Sequence, residues 1–402
     1  MSIRLRKIPQ DLQLKGKCVI FRMDGNVPIE KGRAVDGPHG RIARAAVDID
    51  WLLQRGARVI VLTHLGRPNG KRKAAYSVAP IAKRLGSLLG TKISVSRTLC
   101  GMRAEHAVAN LKDGQILLLE NIRFDSRETE NDSEFAKLLA RLGDIYINDA
   151  FSVSHRKHTS VNAIAKEIPS YAGPLLSNEV NVLSQLEKNT KHPFVLLMGG
   201  LKIETKLPVI EHLSKQTDQI LLGGALATTF LAAHGVSVGR SVFDAEGVEV
   251  VKKMSKDILE KIILPEDVVV ASSFRKDAKK RIVVVSAIGS RDRIVDIGPK
   301  THEHFIKLIS QAKTIVWNGP FGYCEIGSFC DGTRAIAQAI AKRTGAAVTI
   351  VGGGDTGPVL EQMKLADQFT LFSTGGGAML EFLAGQTFPG LEPLKIYDVQ
   401  NT

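Results

Sequence analysis

Val351-Gly352-Gly353-Gly354-Asp355-Thr356-Gly357 follows an apolar run, Ala346 to Val351, and leads into a helix-like segment; Ser373-Thr374-Gly375-Gly376-Gly377-Ala378 does the same after Phe369–Phe372. Two strand-to-helix turns nearly free of side chains belong to an α/β protein. Bare backbone N–H groups at a helix start bind phosphate, and glycine lets an anion approach the backbone closely. Asp355 adds a carboxylate where a phosphate-bound magnesium ion takes an oxygen ligand. One glycine-rich turn is ordinary in any α/β protein, so the functional reading, nucleotide phosphate, needs support from the rest of the chain. Two familiar nucleotide folds do not supply it. Gly352-x-Gly354-x-x-Gly357 matches the dinucleotide fingerprint in letters, but Asp367 lies too near to be the acidic residue which that pattern places about 20 positions on. The GxxxxGK loop followed by Ser or Thr is absent.

Outward from these turns, short apolar runs alternate with longer amphipathic ones. Cys18–Phe21, Val59–Leu62, Ile116–Leu119 and Ile145–Ile147 read as strands, with helical patterns at Arg41–Gln54, Val78–Leu89 and Ser133–Leu142 between them. A second series follows: Phe194–Met198, Gln219–Leu222, Val268–Ala271, Thr314–Trp317, Ala347–Val351 and Phe369–Phe372. Such βα alternation is the signature of parallel sheets covered on both faces. At 402 residues, two domains fit better than one. The expected boundary is at Ile168–Gly173, where Pro169, Gly173 and Pro174 punctuate the chain, giving domains of residues 1–172 and 173–386. Leu175–Leu186 has helical spacing and is expected to be a stiff hinge helix between two doubly wound domains. Lys276–Arg281 reads as a solvated loop.

Composition narrows the function. Hydrophobic residues make up 44% and charged residues 24%, with no apolar run of about 20 residues to span a bilayer. Met1 to Gln13 is charged and interrupted by proline, unlike a signal peptide, so a cytoplasmic protein is expected. Cys18, Cys100, Cys324 and Cys330 show neither zinc-site spacing nor a disulfide framework and read as buried or incidental thiols. The net charge of +13 is unevenly spread: residues 1–172 carry 29 basic against 17 acidic side chains, and residues 173–402 carry 25 against 24. That excess fits a multiply anionic small molecule. Nucleic acid is not expected, because no basic stretch interleaves with aromatic residues.

The polar residues of the first half gather just after its strands, where open α/β sheets bind ligands. Arg22, Asp24 and Asn26 follow the first strand, and Thr63-His64-Leu65-Gly66-Arg67-Pro68 the second. Glu120-Asn121-Ile122-Arg123-Phe124 follows the third, and Asn148-Asp149-Ala150-Phe151 the fourth, with His155-Arg156-Lys157-His158 close behind. Singly, each arginine is an ordinary surface residue. Together with Arg41 they converge from distant segments in a manner suited to a phosphorylated carboxylic acid.

With these segments in order, joined by Trp317-Asn318-Gly319-Pro320 and the two glycine turns, the chain resembles the phosphoglycerate kinase family over essentially its whole length. The resemblance implies a first domain for 3-phosphoglycerate, a second for ADP or ATP, and a C-terminal tail, residues 387–402, returning to the first. It implies that Asp24, Asn26, Arg41, His64, Arg67, Arg123 and Arg156 hold the phosphoglycerate. Lys202 and Arg41 would act on the phosphoryl group in transit, Lys206 on phosphate oxygens, and Gly375, Gly376 and Gly377 at a helix start facing the group. Asn318, Pro320, Glu325, Gly353, Gly354 and Thr356 would contact nucleotide, and Asp355 the magnesium ion (Mg2+). The implied reaction is reversible, in-line transfer from 1,3-bisphosphoglycerate to ADP after hinge closure, by a monomer, with neither membrane nor nucleic acid as partner. Gly25, Leu201, Glu204-Thr205, Tyr323-Cys324 and the Asp36–Gly40 stretch depart from the usual family pattern. Two rival readings remain at this level. A two-domain nucleotide-dependent dehydrogenase would explain the Gly352 fingerprint, and a basic binding protein would explain the charge of the first half.

Overall fold

The structure, a computed structural model, describes residues 3–188 and 190–396. Contacts divide the chain into one unit of Met1–Ser184 with Thr387–Thr402 and another of Gln185–Gln386. Residues 397–402 of the expected tail lie outside the described residues.

The first unit is built on six parallel strands in the order Ser94–Ser96, Ile116–Leu119, Arg58–Leu62, Cys18–Arg22, Ile145–Asn148, Ser170–Ala172. All five residues of Cys18–Arg22 are buried, as expected for a central strand covered on both faces. The helix Arg41–Gln54 buries Ile42, Ala45, Ile49 and Leu52, one stripe of a 3.6-residue repeat, against Val19, Phe21, Val59 and Val61.

The second unit repeats this plan in the order Ile262–Ile263, Gln219–Leu222, Phe194–Met198, Thr314–Asn318, Val348–Gly352, Leu371–Ser373, again all parallel. Its core gathers Val195, Leu197, Phe305, Trp317, Phe321 and Ile336. In each sheet the chain places its next strands on one side of its first strand and then crosses to the other. Ligands of open sheets bind beside such a reversal.

Four sequence expectations need correction. Val268–Ala271 does not join the parallel sheet: Asp267–Ala271 is the middle of a small antiparallel sheet between Lys280–Val284 and Arg293–Ile297. Alternating burial cannot tell the two apart in so short an apolar run. The loop expected at Lys276–Arg281 runs into the strand Lys280–Val284, whose charged side chains occupy an exposed edge. The expected boundary at Ile168–Gly173 contains an edge strand, Ser170–Ala172, and the units part inside the helix Pro174–Lys188. Finally, Cys324 and Cys330 form a disulfide, with Cα atoms 4.7 Å apart, whereas Cys18 and Cys100 are free. A six-residue separation carries no sequence signal; the turn that closes it is set by packing, because Gly322 lies against the Phe329 carbonyl with no room for a side chain.

The tail is stitched to the first unit. Arg6 N–H donates to Leu394 O (2.8 Å), Ile396 N–H to Arg4 O (2.8 Å) and Gly390 N–H to Ser154 O (2.9 Å). The Phe388 ring stacks on Phe151 with centroids 5.5 Å apart.

Candidate functional site

In the first sheet Leu62, Arg22, Asn148 and Ala172 are in register, so the segments that follow them leave the sheet at one level. That places Asp24 and Asn26 beside His64–Arg67 and the 151–156 segment. Asp24 accepts from the Ser152 hydroxyl and pairs with Arg41 Nη1 at 2.9 Å, which also donates to Asn26 O at 2.9 Å. Asn26 Oδ1 accepts from Gly66 N–H (2.9 Å), and Arg123 Nη1 donates to Gly66 O (2.8 Å). Arg41 opens its helix, and the start is held by Asp36, whose two oxygens accept from Ile42 and Ala43 N–H at 3.0 and 2.9 Å. The unusual Asp36–Gly40 stretch is thus a helix cap that fixes Arg41.

The electrostatics of this cluster are those of a site awaiting an anion. His64 is buried, and burial together with Arg22, Arg123, Arg156 and Arg41 holds its imidazole far below the ordinary histidine range. Burial and neighbouring arginines likewise push His155 down to about 4 and His158 down to about 3. Arg123 is pushed down to about 10 by burial and by Arg156, Arg22 and Arg67. Guanidinium groups from five chain segments therefore repel one another across a small space. An arriving phosphate relieves that repulsion.

The histidines give a stability prediction. Their folded pKa values lie below the ordinary value of 6.5, so the unfolded chain binds more protons between about pH 6.5 and about 4. Stability present above pH 6.5 is lost as pH falls through that window. Thermal melts at pH 7, 5.5 and 4.5 are expected to show this decline, and 3-phosphoglycerate to flatten it by favouring the protonated imidazoles. Identical pH slopes with and without the ligand would count against an anion site here.

In the second sheet Met198, Asn318, Gly352 and Ser373 are in register, so four turns leave together. Gly319 has φ +87°, and a Cβ there would stand 2.5 Å from Gly199 O; Gly353 has φ +119°. Gly354 and Gly377 are different: an added methyl would meet nothing within 4 Å and neither has a positive φ, so the fold itself gives no reason for glycine there. Close approach by a ligand would give one. Lys206 is buried, donates to Asn318 Oδ1 and is pushed down to about 8 by burial, with Asp355 opposing the shift. Asn318 Nδ2 and Thr356 Oγ1 are buried without a partner among the described residues. Lys202 is exposed at the start of the helix Ile203–Leu213, and Gly375 N–H donates to Ser373 Oγ at 3.1 Å. A cavity of about 320 Å³ opens beside these groups, lined by Gly200, Thr228, Pro320, Tyr323, Glu325 and Asp355 among others.

Arg22, which the sequence placed among the polar residues after the first strand without giving it a role, is 1% exposed, and its Nη2 lies 3.2 Å from His64 Nδ1, so it orients the imidazole. One contributor escaped the sequence reading of the site. Phe274, on the wall of the second-unit cavity, carried no sequence signal.

A family model described as phosphoglycerate kinase matches residues 9–386. The phosphoglycerate kinase of Chloroflexus aggregans is 43% identical over 397 residues, covering 97% of this chain and 99% of its own. Among solved structures, the phosphoglycerate kinase of Coxiella burnetii is 40% identical with a TM-score of 0.82, and that of Pyrococcus horikoshii 28% identical with 0.83. Each covers 96% of this chain and 97% of its own.

Proposed function

This chain belongs to the phosphoglycerate kinase family and catalyses the glycolytic transfer between 1,3-bisphosphoglycerate with ADP and 3-phosphoglycerate with ATP; on that premise we propose how its residues divide the work. The arginine cluster of the first unit takes the phosphoglycerate: Arg67, Arg123 and Arg156 its phosphate, with Asp24, Asn26 and His64 orienting the rest. The second unit takes the nucleotide, with Asn318, Pro320 and Glu325 around base and ribose, and Lys206, Gly353, Gly354 and Thr356 around the phosphates. Arg41, Lys202 and the Gly375–Gly377 turn meet the group in transit.

The observation that carries the substrate assignment is the convergence of Arg22, Arg41, Arg123 and Arg156 around histidines held uncharged, a field that a multiply charged anion balances. Phosphoryl transfer needs positioning and neutralisation of equatorial oxygens rather than a covalent enzyme intermediate. No histidine has to act as a base.

Magnesium fits this chemistry. No group of three or more His, Cys, Asp or Glu side chains able to hold a metal occurs among the described residues. Asp355, on the nucleotide cavity whose lining holds one other carboxylate, Glu325, suits an ion bound chiefly through nucleotide phosphates and water. The ion would neutralise phosphate charge there.

We further place the protein in the cytoplasm, as a monomer; among the described residues no helix is long and apolar enough to cross a membrane. Since phosphoglycerate and nucleotide residues lie in different units, the reaction requires the two ligands to be brought together. Small-angle scattering is expected to give a smaller radius of gyration with both substrates than with either alone; an unchanged radius would argue against closure.

The direct test is a coupled assay with purified protein, ATP, magnesium and 3-phosphoglycerate. ADP release that needs both substrates supports the reading, and none from folded protein refutes it. Within it, Arg67→Ala is expected to raise KM for 3-phosphoglycerate by about tenfold or more, as removal of a charged hydrogen-bonding partner does, with a smaller loss in kcat. A normal KM would remove Arg67 from the phosphate site.

A further inference from the structure

The disulfide lies on the wall of the nucleotide cavity. Tyr323 and Glu325, the residues on either side of Cys324, both line it, and the Tyr323 ring stands 4.8 Å from that of Phe274, tilted by 47°. Phe274 lines the same cavity and carries the Arg293 guanidinium 5.5 Å above its ring. The wall is therefore aromatic here, and a flat base can stack on it.

The two cysteines differ in how firmly the fold holds them. Cys330 is 1% exposed, follows the fully buried Phe329 and precedes the helix Asp331–Ala341. That helix start is fixed by Gly332 N–H donating to Asp296 Oδ2 (2.8 Å) and by Thr333 Oγ1 accepting from Phe321 and Gly322 N–H, each at 3.0 Å. Cys324 is partly exposed, in a turn whose residues 323, 325 and 327 face solvent. The Cys324–Cys330 bond ties this outer turn to the anchored end.

We propose that the Cys324–Cys330 disulfide is a redox-operated clasp: closed, it holds Tyr323 and Glu325 against the cavity as a wall for base and ribose; reduced, it releases them and weakens nucleotide binding. The proposal rests on the nucleotide reading of the cavity given above. In a reducing cytoplasm a disulfide is ordinarily transient or sensing rather than structural. The chemistry is thiol–disulfide exchange with an external dithiol. One thiolate of the dithiol attacks the accessible Cys324 sulfur, the S–S bond breaks, and Cys330 leaves as a thiolate that takes up a proton. The second thiol of the dithiol then displaces Cys324, so that two electrons and two protons pass to the cysteine pair and the dithiol departs as its own disulfide. Re-oxidation by a disulfide runs the same steps backwards.

The test uses the full chain equilibrated in oxidised or reduced dithiothreitol, with thiols counted and ADP binding measured by calorimetry with magnesium present. Two titratable thiols are expected in the oxidised protein, Cys18 and Cys100, and four in the reduced. Reduction is expected to raise Kd for ADP by about tenfold, the low end of what losing one base–aromatic stack produces, and to leave Kd for 3-phosphoglycerate unchanged. Cys324→Ser is expected to bind ADP as the reduced protein does in either medium. Four thiols after oxidation, equal ADP affinity in the two states, or a Cys324→Ser variant still sensitive to dithiothreitol would each overturn the clasp. Failure to bind ADP in both states would instead overturn the nucleotide reading of the cavity, and the clasp with it.

Discussion

Arg41→Ala is expected to lower kcat by about 10²-fold or more, the cost of removing one donor aimed at developing charge, while KM for 3-phosphoglycerate changes little. The asymmetry follows from where the side chain sits. Arg41 opens a helix whose first N–H groups are capped by Asp36, and its Nη1 is parked 2.9 Å from Asp24 Oδ2. The pair with Asp24 holds the guanidinium in place beforehand, so its charge is ready as the moving phosphoryl spreads charge over its equatorial oxygens. Arg41→Lys keeps the charge but not the planar fork, and should recover only part of the rate. Steady-state kinetics on both variants, with folding checked by circular dichroism, decide the matter. Near-normal kcat in the alanine variant would sink the assignment.

Lys206→Met is expected to act on stability and activity in opposite directions. Burial depresses the Lys206 ammonium to about 8 from 10.5, so keeping it charged in the fold at neutral pH costs about 3 kcal/mol. Between about pH 8 and 10.5 the unfolded chain binds more protons, and wild-type stability rises with pH across that window. Methionine removes the charge at similar length, at the loss of the hydrogen bond to Asn318. A gain of about 2 kcal/mol at pH 7, shrinking above pH 8, is therefore expected in denaturant unfolding. Without the ammonium, kcat/KM for the nucleotide should fall by about 10²-fold. A variant that is less stable yet binds ADP normally would refute both halves of the argument.

The central strands were legible because each is a short aliphatic run with nothing polar to place, and both glycine turns because backbone chemistry needs no side-chain contact to be recognised. Long-range packing was not legible. Val268–Ala271 looks like its parallel neighbours letter by letter, and only its partners, Lys280–Val284 and Arg293–Ile297, make it antiparallel. Arginines and histidines after successive strands announced a charged cluster. That the histidines are uncharged depends on burial beneath Arg22, Arg123 and Arg156, which no spacing encodes. The departures at Asp36–Gly40 and Tyr323–Cys324 read as irregularities in one dimension; in three they are a helix cap and half of a disulfide.

The return of residues 387–396 to the first unit sets an order of assembly. As the chain leaves the ribosome, residues 185–386 form a contiguous unit, whereas the unit begun with residues 1–184 gains its remaining contacts only after residues 387–396 have followed. Until then Ser154 O lacks the Gly390 N–H and Phe151 lacks the Phe388 ring, both one or a few residues from His155 and Arg156. A nascent chain stopped short of residue 387 would already contain every charged side chain assigned to phosphoglycerate while lacking the strap packed beside the segment that carries Arg156. Synthesis of residues 387–396 is thereby a checkpoint on a pocket encoded before residue 157.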